Sequence, residues 1–243
     1  MTGFDARPAD AAGAETLEIM STAPRYNQWQ YQVISPWIGQ RVLEVGAGVG
    51  NMSAHIVAEG RECMVLTDTD PWYRGELQRR FADRPEVSVE PLTLPDAAGP
   101  ARLARHQLDT VVALNVLEHI DDHVGALRTM RELVRPGGRV IILVPALPGI
   151  YGTLDRELGH FRRYTRRTLA AAYLAAGLTV ERLTWFNRVG TVGWWFNARV
   201  RKAGRIPLNQ LKAFDALVPL LRLERFLPIP FGQSLIAVGH RDA

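Results

Sequence analysis

Val42-Leu43-Glu44-Val45-Gly46-Ala47-Gly48-Val49-Gly50-Asn51 sets an apolar run directly before three alternate glycines. A short strand over 41–45 that enters such a turn and leaves it as a helix over 51–59 marks the start of an open α/β sheet whose first turn meets a ligand. Glycine permits the tight turn and lets the backbone approach a ligand with no Cβ in the way. The spacing separates two ligand classes. A dinucleotide fingerprint places its third glycine three residues after the second. Here that place is Asn51, and the third glycine comes one step early, at Gly50. This spacing speaks against a nicotinamide-dependent oxidoreductase.

Working outward, the next apolar run, 63–67, ends in Asp68-Thr69-Asp70-Pro71. Proline is favoured in a helix's first turn, so Asp70 is expected to cap a helix reaching to about residue 82. That leaves Asp68, at the carboxyl end of the second strand, to accept both hydroxyls of a ribose. Further strands are expected at 87–90, 110–114, 140–144 and 179–183, with helices at 121–134 and 166–176. Pro136-Gly137-Gly138 stops the first of these helices. A last strand at 235–238 is expected to lie antiparallel beside its neighbour. Strands rich in Val, Ile and Leu alternating with helices specify a parallel sheet covered on both faces. The expected fold is α/β: a Rossmann-like, doubly wound, mostly parallel seven-stranded sheet with an antiparallel last strand.

Residues 15–38, carrying Tyr26, Trp29, Tyr31 and Trp37, are expected to form one or two helices on the domain's edge. Residues 1–14 are expected to be disordered, and 15–243 to form one domain. Between the final two strands lie some fifty residues that the sheet does not need. They hold Trp185, Phe186, Trp194, Trp195, Phe196, Phe214, Phe226 and Phe231. Segments that long usually carry function or structure of their own, and 186–232 is expected to be a helical cap over the active site, with Trp195 meeting substrate.

Hydrophobic residues at 47% and charged ones at 22% exclude a disordered chain. The first ten residues include Asp5, Arg7 and Asp10 with no apolar run behind them, which is unlike a signal peptide. No uncharged stretch reaches the ~20 residues that span a bilayer. One cysteine, Cys63, allows no intrachain disulfide, and a cytoplasmic location is expected. The net charge of +4 hides a split: residues 1–150 carry −5 and residues 151–243 carry +9. The basic third points to an acidic substrate or to peripheral contact with the inner face of a membrane, the alternative being a solvated face. No nucleic-acid module accompanies the charge, so nucleic acid is not an expected partner.

Glu44-x-Gly46-x-Gly48-x-Gly50 resembles motif I of class I S-adenosylmethionine-dependent methyltransferases, and Asp68-Thr69-Asp70-Pro71 resembles their motif II. DTVVALNVLEHI, residues 109–120, is similar to the family's fourth-strand motif, and LVRPGGRVIILV, residues 133–144, to the strand that follows. The resemblance implies S-adenosylmethionine as cofactor and a set of residues around it. Gly46, Ala47, Gly48 and Asn51 would form the cofactor loop, with Glu44 acting nearby. Asp68 would bind the ribose, next to Thr69. Asn115 would face the methionine end, and Val116 and His119 would line the same cleft. The family's acidic contact to adenine has no clear counterpart in Val89-Glu90-Pro91-Leu92-Thr93, so apolar packing and a backbone group near Leu92 are expected to hold the base. Tyr26 and Trp29 are candidate lid residues. Beyond residue 150, Tyr151-Gly152-x-Leu154-Asp155 and Gly159-His160-Phe161-Arg162-Arg163-Tyr164 resemble bacterial methyltransferases of glycolipid, polysaccharide or secondary metabolism. The implied reaction is methyl transfer to a small-molecule or lipid- or saccharide-linked acceptor. The rival on the same fold is a cyclase or pericyclase that binds the cofactor without transferring methyl.

An oxygen or nitrogen acceptor usually needs a group to take its proton. His160 and His119 are the candidates, since the reference pKa of imidazole is ~6.5. Arg163, within the run Arg162, Arg163, Arg166 and Arg167, is a candidate to clamp a phosphate or carboxylate, with Tyr164 beside it, the alternative being one solvated face. Glu118, His119, Asp121, Asp122 and His123 form a run with ligand-type side chains, but such residues are ordinary at a helix start and no metal is expected.

Overall fold

The computed structural model describes residues 17–195 and 208–243. Seven strands form one sheet: β1 (Arg41–Val45), β2 (Cys63–Asp68), β3 (Val87–Pro91), β4 (Thr110–Leu114), β5 (Arg139–Pro145), β6 (Thr179–Phe186) and β7 (Ser234–His240). Their spatial order is β3-β2-β1-β4-β5-β7-β6. β1 to β5 pair in parallel, and β7 runs antiparallel to both β5 and β6. The direction of winding reverses between β1 and β4, and open sheets of this kind bind ligands at the carboxyl ends of the strands flanking that point. In register, Val45 lies beside Thr67 on β2 and Ala113 on β4. The ends of these strands and the turns after them, with Gly46, Asp68 and Asn115, therefore open on one edge.

Alternation of side chains across the sheet divides the core in two. Leu43, Val65, Val111, Val140 and Ile142 face one cluster, completed by Leu127, Met130, Leu169 and Tyr173 from helices His123–Leu133 and Arg166–Ala175. Val42, Met64, Leu66, Val112 and Ile141 face the other, with Ile34, Ile56, Leu77 and Val218 from helices Pro24–Ile34, Asn51–Ala58, Pro71–Arg80 and Leu208–Leu221. Two aspartates start their helices as expected of caps: Asp70 accepts from the Trp72 N–H at 2.8 Å, and Asp122 from the Gly125 N–H at 2.8 Å.

Some expectations change. β6 runs three residues past 183, so Trp185 and Phe186 belong to the sheet, opposite Leu235 and Ser234. The insertion proper begins at Asn187. A register shift between Val180 and Arg182 breaks the alternation on which a sequence-based boundary depends. Trp29 is core rather than lid: its ring sits 4.5 Å from that of Phe186. The expected disorder of 1–14 lies outside the described residues, as do Phe196 and the side chain of Trp194.

Candidate active site

At the carboxyl edge of β1, β2 and β4 a cleft of ≈ 1330 Å³ opens, lined by the first turn, Asp68, Asn115, the loop after β5 and the insertion before β7. Gly46 has φ +66°, and a Cβ there would come within 2.7 Å of Val116 Cγ2. Backbone twist and crowding together require glycine at this position. Gly50 plays a different part. With φ +80° it precedes the helix, and a Cβ would lie 2.9 Å from Phe81 Cε2. The early third glycine thus serves packing against the helix Pro71–Arg80 rather than a pyrophosphate.

Asp68 ties two of these turns together. Its Oδ2 accepts from the Gly48 N–H and its Oδ1 from the Asp70 N–H, both at 3.0 Å. Each oxygen keeps a further lone pair, so hydroxyl donors can still be accepted from the cleft. Burial raises the Asp68 pKa, opposed by these backbone donors. Glu44 is buried deeper, and its Oε2 accepts from Ser53 Oγ at 2.6 Å. Desolvation pushes its carboxyl up to about 7, with the Ser53 hydrogen bond and Arg80 opposing. The folded chain therefore holds a proton that the unfolded chain loses near 4.5. Stability from this group is present below that pH and is lost as pH rises toward 7. The melting temperature of the ligand-free chain is expected to fall between about pH 4.5 and 7, and Glu44→Gln to reduce that fall. An unchanged slope in the variant contradicts the assignment.

Ala47, Asn51, Thr69, Leu92 and Val116 all line the cleft. So do Asn115, held at φ +55° at the end of β4, and Tyr26. Glu90 is absent from the lining; its carboxylate pairs with Arg105. Leu92, nearly fully buried, is the wall residue on that side. Tyr26 joins the helix Pro24–Ile34 to the insertion: its N–H donates to Asp215 Oδ1 at 2.8 Å, and its ring lies 5.7 Å from that of Phe214.

At the other end of the cleft, the loop after β5 folds over the turn after β4. The Phe161 N–H donates to the Glu118 carbonyl at 2.8 Å. This brings His160 against His119, ring centroids 4.7 Å apart and nearly perpendicular. Asp155 holds His160 through Oδ1 and Nδ1 at 2.9 Å, and Arg163 Nε donates to the same Oδ1 at 2.7 Å. Arg163 also donates to the Ala146 carbonyl at 2.9 Å. Its guanidinium thus neutralises Asp155 and ties the loop to the end of β5, while Arg163 also lines the cleft. Tyr164 differs from expectation: it is 1% exposed, is not part of the lining, and its hydroxyl lies 3.0 Å from His123 Nδ1. Trp195 is 48% exposed and outside the lining. Arg162 is occupied by Asp121 at 2.9 Å. Glu118 and Asp155 are site residues that the sequence-based set omits. Asp155 was visible only as part of a motif, because its partner lies five residues on across a turn.

A dinucleotide-binding sheet ends in the order 3-2-1-4-5-6, whereas here an antiparallel strand is inserted between β5 and β6. With acidic groups at the carboxyl ends of β1 and β2 beside a glycine turn, this fold and cleft define a class I S-adenosylmethionine-dependent methyltransferase domain. Residues 6–183 match the family model described as "Methyltransferase domain", and the chain belongs to that family. Among curated relatives, a ubiquinone biosynthesis O-methyltransferase of Methylocella silvestris is 29% identical over 173 residues, covering 65% of this chain and 63% of its own length. The chain thus spans less than two thirds of that enzyme. Among solved structures, the complex between the Haloferax volcanii Trm112 methyltransferase activator and the putative methyltransferase superposes with TM-score 0.64 at 14% identity, covering 98% of this chain and 100% of that one. The [4+2]-cyclase SpnF gives 0.57 at 14%, covering 90% and 83%. At such identity these two show the fold alone. The family's cofactor is S-adenosylmethionine.

Proposed function

We propose that the chain transfers the methyl group of S-adenosylmethionine to a small-molecule or lipid- or saccharide-linked acceptor, whose reacting atom meets the corner formed by Glu118, His119 and His160. The observation that carries this reading is the extent of the cleft. It runs from Gly46 and Asp68 to His119 and His160, and its ≈ 1330 Å³ exceeds the ~300–1,000 Å³ usual for one ligand. The cofactor supplies an electrophilic methyl on its sulfonium, and the residues must hold that methyl in line with the acceptor. Asp68 would take the ribose hydroxyls, Gly46 and Gly48 would admit the methionine end beside Asn115, and Leu92 would pack on adenine. His160, oriented by Asp155, and His119 would engage the acceptor.

Opposite that polar corner, the insertion gives the wall an apolar stretch. Helix Leu208–Leu221 contributes Leu211, Phe214, Leu217 and Leu221, and the insertion also contributes Val189 and Val192. We assign the insertion as a cap over an acceptor with an apolar body. Its outer surface exposes Leu220, Leu223 and Phe226 beside Arg222 and Arg225. That composition suits contact with an anionic lipid surface. Among the described residues no helix is long and apolar enough to cross a membrane.

Incubation of the chain with methyl-labelled cofactor and small-molecule and lipid fractions of its host is expected to move label into an acceptor. A product formed without label, in a reaction that still requires the cofactor, overturns methyl transfer. On binding cofactor and acceptor, residues 190–195 and 208–221 are expected to gain protection from hydrogen exchange. Exchange that stays the same there removes the cap.

A further inference from the structure

Glu118 is a buried carboxylate in the cleft wall. Its residue is 1% exposed, and neither carboxylate oxygen has a hydrogen-bond partner. Buried carboxylates persist where they are protonated, paired with a charge or bound to a metal. Beside this one stand two imidazoles. One ligand atom each from Glu118, His119 and His160 lie within 4.8 Å of one another, so small side-chain rotations bring all three to the ~2.0–2.2 Å of a coordinated ion.

The support behind His160 has the form seen behind metal-binding histidines. Asp155 Oδ1 engages its Nδ1 at 2.9 Å, leaving Nε2 as the nitrogen for a ligand. Asp155 is itself held, by Arg163 Nε at 2.7 Å and by the Gly152 N–H at 2.9 Å.

We propose that Glu118, His119 and His160 bind a divalent zinc ion at the acceptor end of the cleft. Two imidazoles and one carboxylate form a donor set of catalytic zinc sites, which keep a further position open. Magnesium and calcium prefer all-oxygen sets. The open position would receive the acceptor's heteroatom, a point that rests on the methyl-transfer reading; ion binding does not. The sequence pointed elsewhere because its ligand-rich run includes Asp121, Asp122 and His123. The structure engages those with Arg162, the Gly125 N–H and Tyr164, and brings His160 in from a different loop.

The test uses the full chain stripped of metal by a chelator, without cofactor or acceptor, titrated with Co²⁺ as a coloured stand-in and then with Zn²⁺. One Co²⁺ per chain is expected, with visible absorption that Zn²⁺ abolishes. Glu118→Gln and His160→Ala should each weaken binding by at least ten-fold, and Asp155→Asn by about 10–100-fold through lost orientation of His160. His106→Ala, which alters the separate contact of His106 with Cys63, should leave binding unchanged. Wild-type chain that takes up no ion overturns the proposal, as do Glu118→Gln and His160→Ala variants that bind like wild type. If these variants fail to fold, the wild-type ring resonances of His119 and His160 decide: a shift on adding Zn²⁺ supports the site, and no shift overturns it. Cofactor affinity is measured separately on the same samples, so failure of the methyl-transfer reading stays distinguishable from failure of the ion site.

Discussion

His160→Ala is expected to lower turnover on the true acceptor by about 10²-fold or more, with cofactor affinity near normal. The ring lines the acceptor end of the cleft beside His119, and Asp155 fixes it at 2.9 Å. The cofactor loop and Asp68 sit on β1 and β2, away from it. The effect on turnover is large because both proposed uses of the ring, engaging the acceptor and holding an ion against it, vanish together. A purely loop-ordering role gives a different pattern. The loop is already tied by the Phe161 N–H to the Glu118 carbonyl and by Arg163 to the Ala146 carbonyl. If His160 only ordered it, His160→Asn would restore turnover and melting temperature together. Turnover and melting temperature measured on both variants separate the two. Full turnover in a folded His160→Ala chain moves the role to His119.

The second large effect concerns the other end of the cleft. Asp68→Ala is expected to weaken S-adenosylmethionine binding by at least ten-fold while the chain stays folded. Hydrogen bonds to a charged acceptor contribute about 1.5–3 kcal/mol each, and the ribose would offer two hydroxyls. The variant also frees the Gly48 and Asp70 N–H groups, which now donate to this carboxylate. Some of the loss would therefore come through a looser glycine turn. Asp68→Asn divides the contributions: it keeps one acceptor oxygen for a backbone N–H and removes the charge. Calorimetric titration gives both affinities, and wild-type affinity in folded Asp68→Ala removes the carboxylate from the site.

The inner parallel strands β1, β2, β4 and β5 were legible because they are buried on both faces and read as largely apolar runs, whereas β3 at the edge is half-buried and gives a weaker signal. Those at 41–45 and 110–114 match β1 and β4 end to end. The cleft residues expected to meet the cofactor were legible for a related reason. Apart from Tyr26 on the helix Pro24–Ile34 and Asn51 at a helix start, they sit at the end of a strand or in the turn after it, so position along the chain fixes position in space. The acceptor end lacks that property. Tyr164 and His160 lie four residues apart, yet one side chain enters the core against His123 and the other meets Asp155. Only the course of the loop decides which side chain reaches the cleft. Glu118 was hidden differently. As a residue in a short turn after β4 it looks like ordinary helix-start chemistry, and its unpartnered oxygens become visible only once the loop after β5 covers it. The end of β6 was misplaced because the shift near Val180 interrupts its alternation.

The central claim is that the cleft at the ends of β1, β2 and β4 is built around S-adenosylmethionine. A crystal structure of the chain with S-adenosylhomocysteine, the product of methyl transfer, tests it most directly. The ribose hydroxyls should lie within hydrogen-bond distance of the Asp68 carboxylate, with adenine against Leu92 and the amino-acid end beside Gly46 and Asn115. The sulfur should face the His119 and His160 end of the cleft. A ligand bound elsewhere, or turned so that its sulfur faces away from that end, contradicts the account.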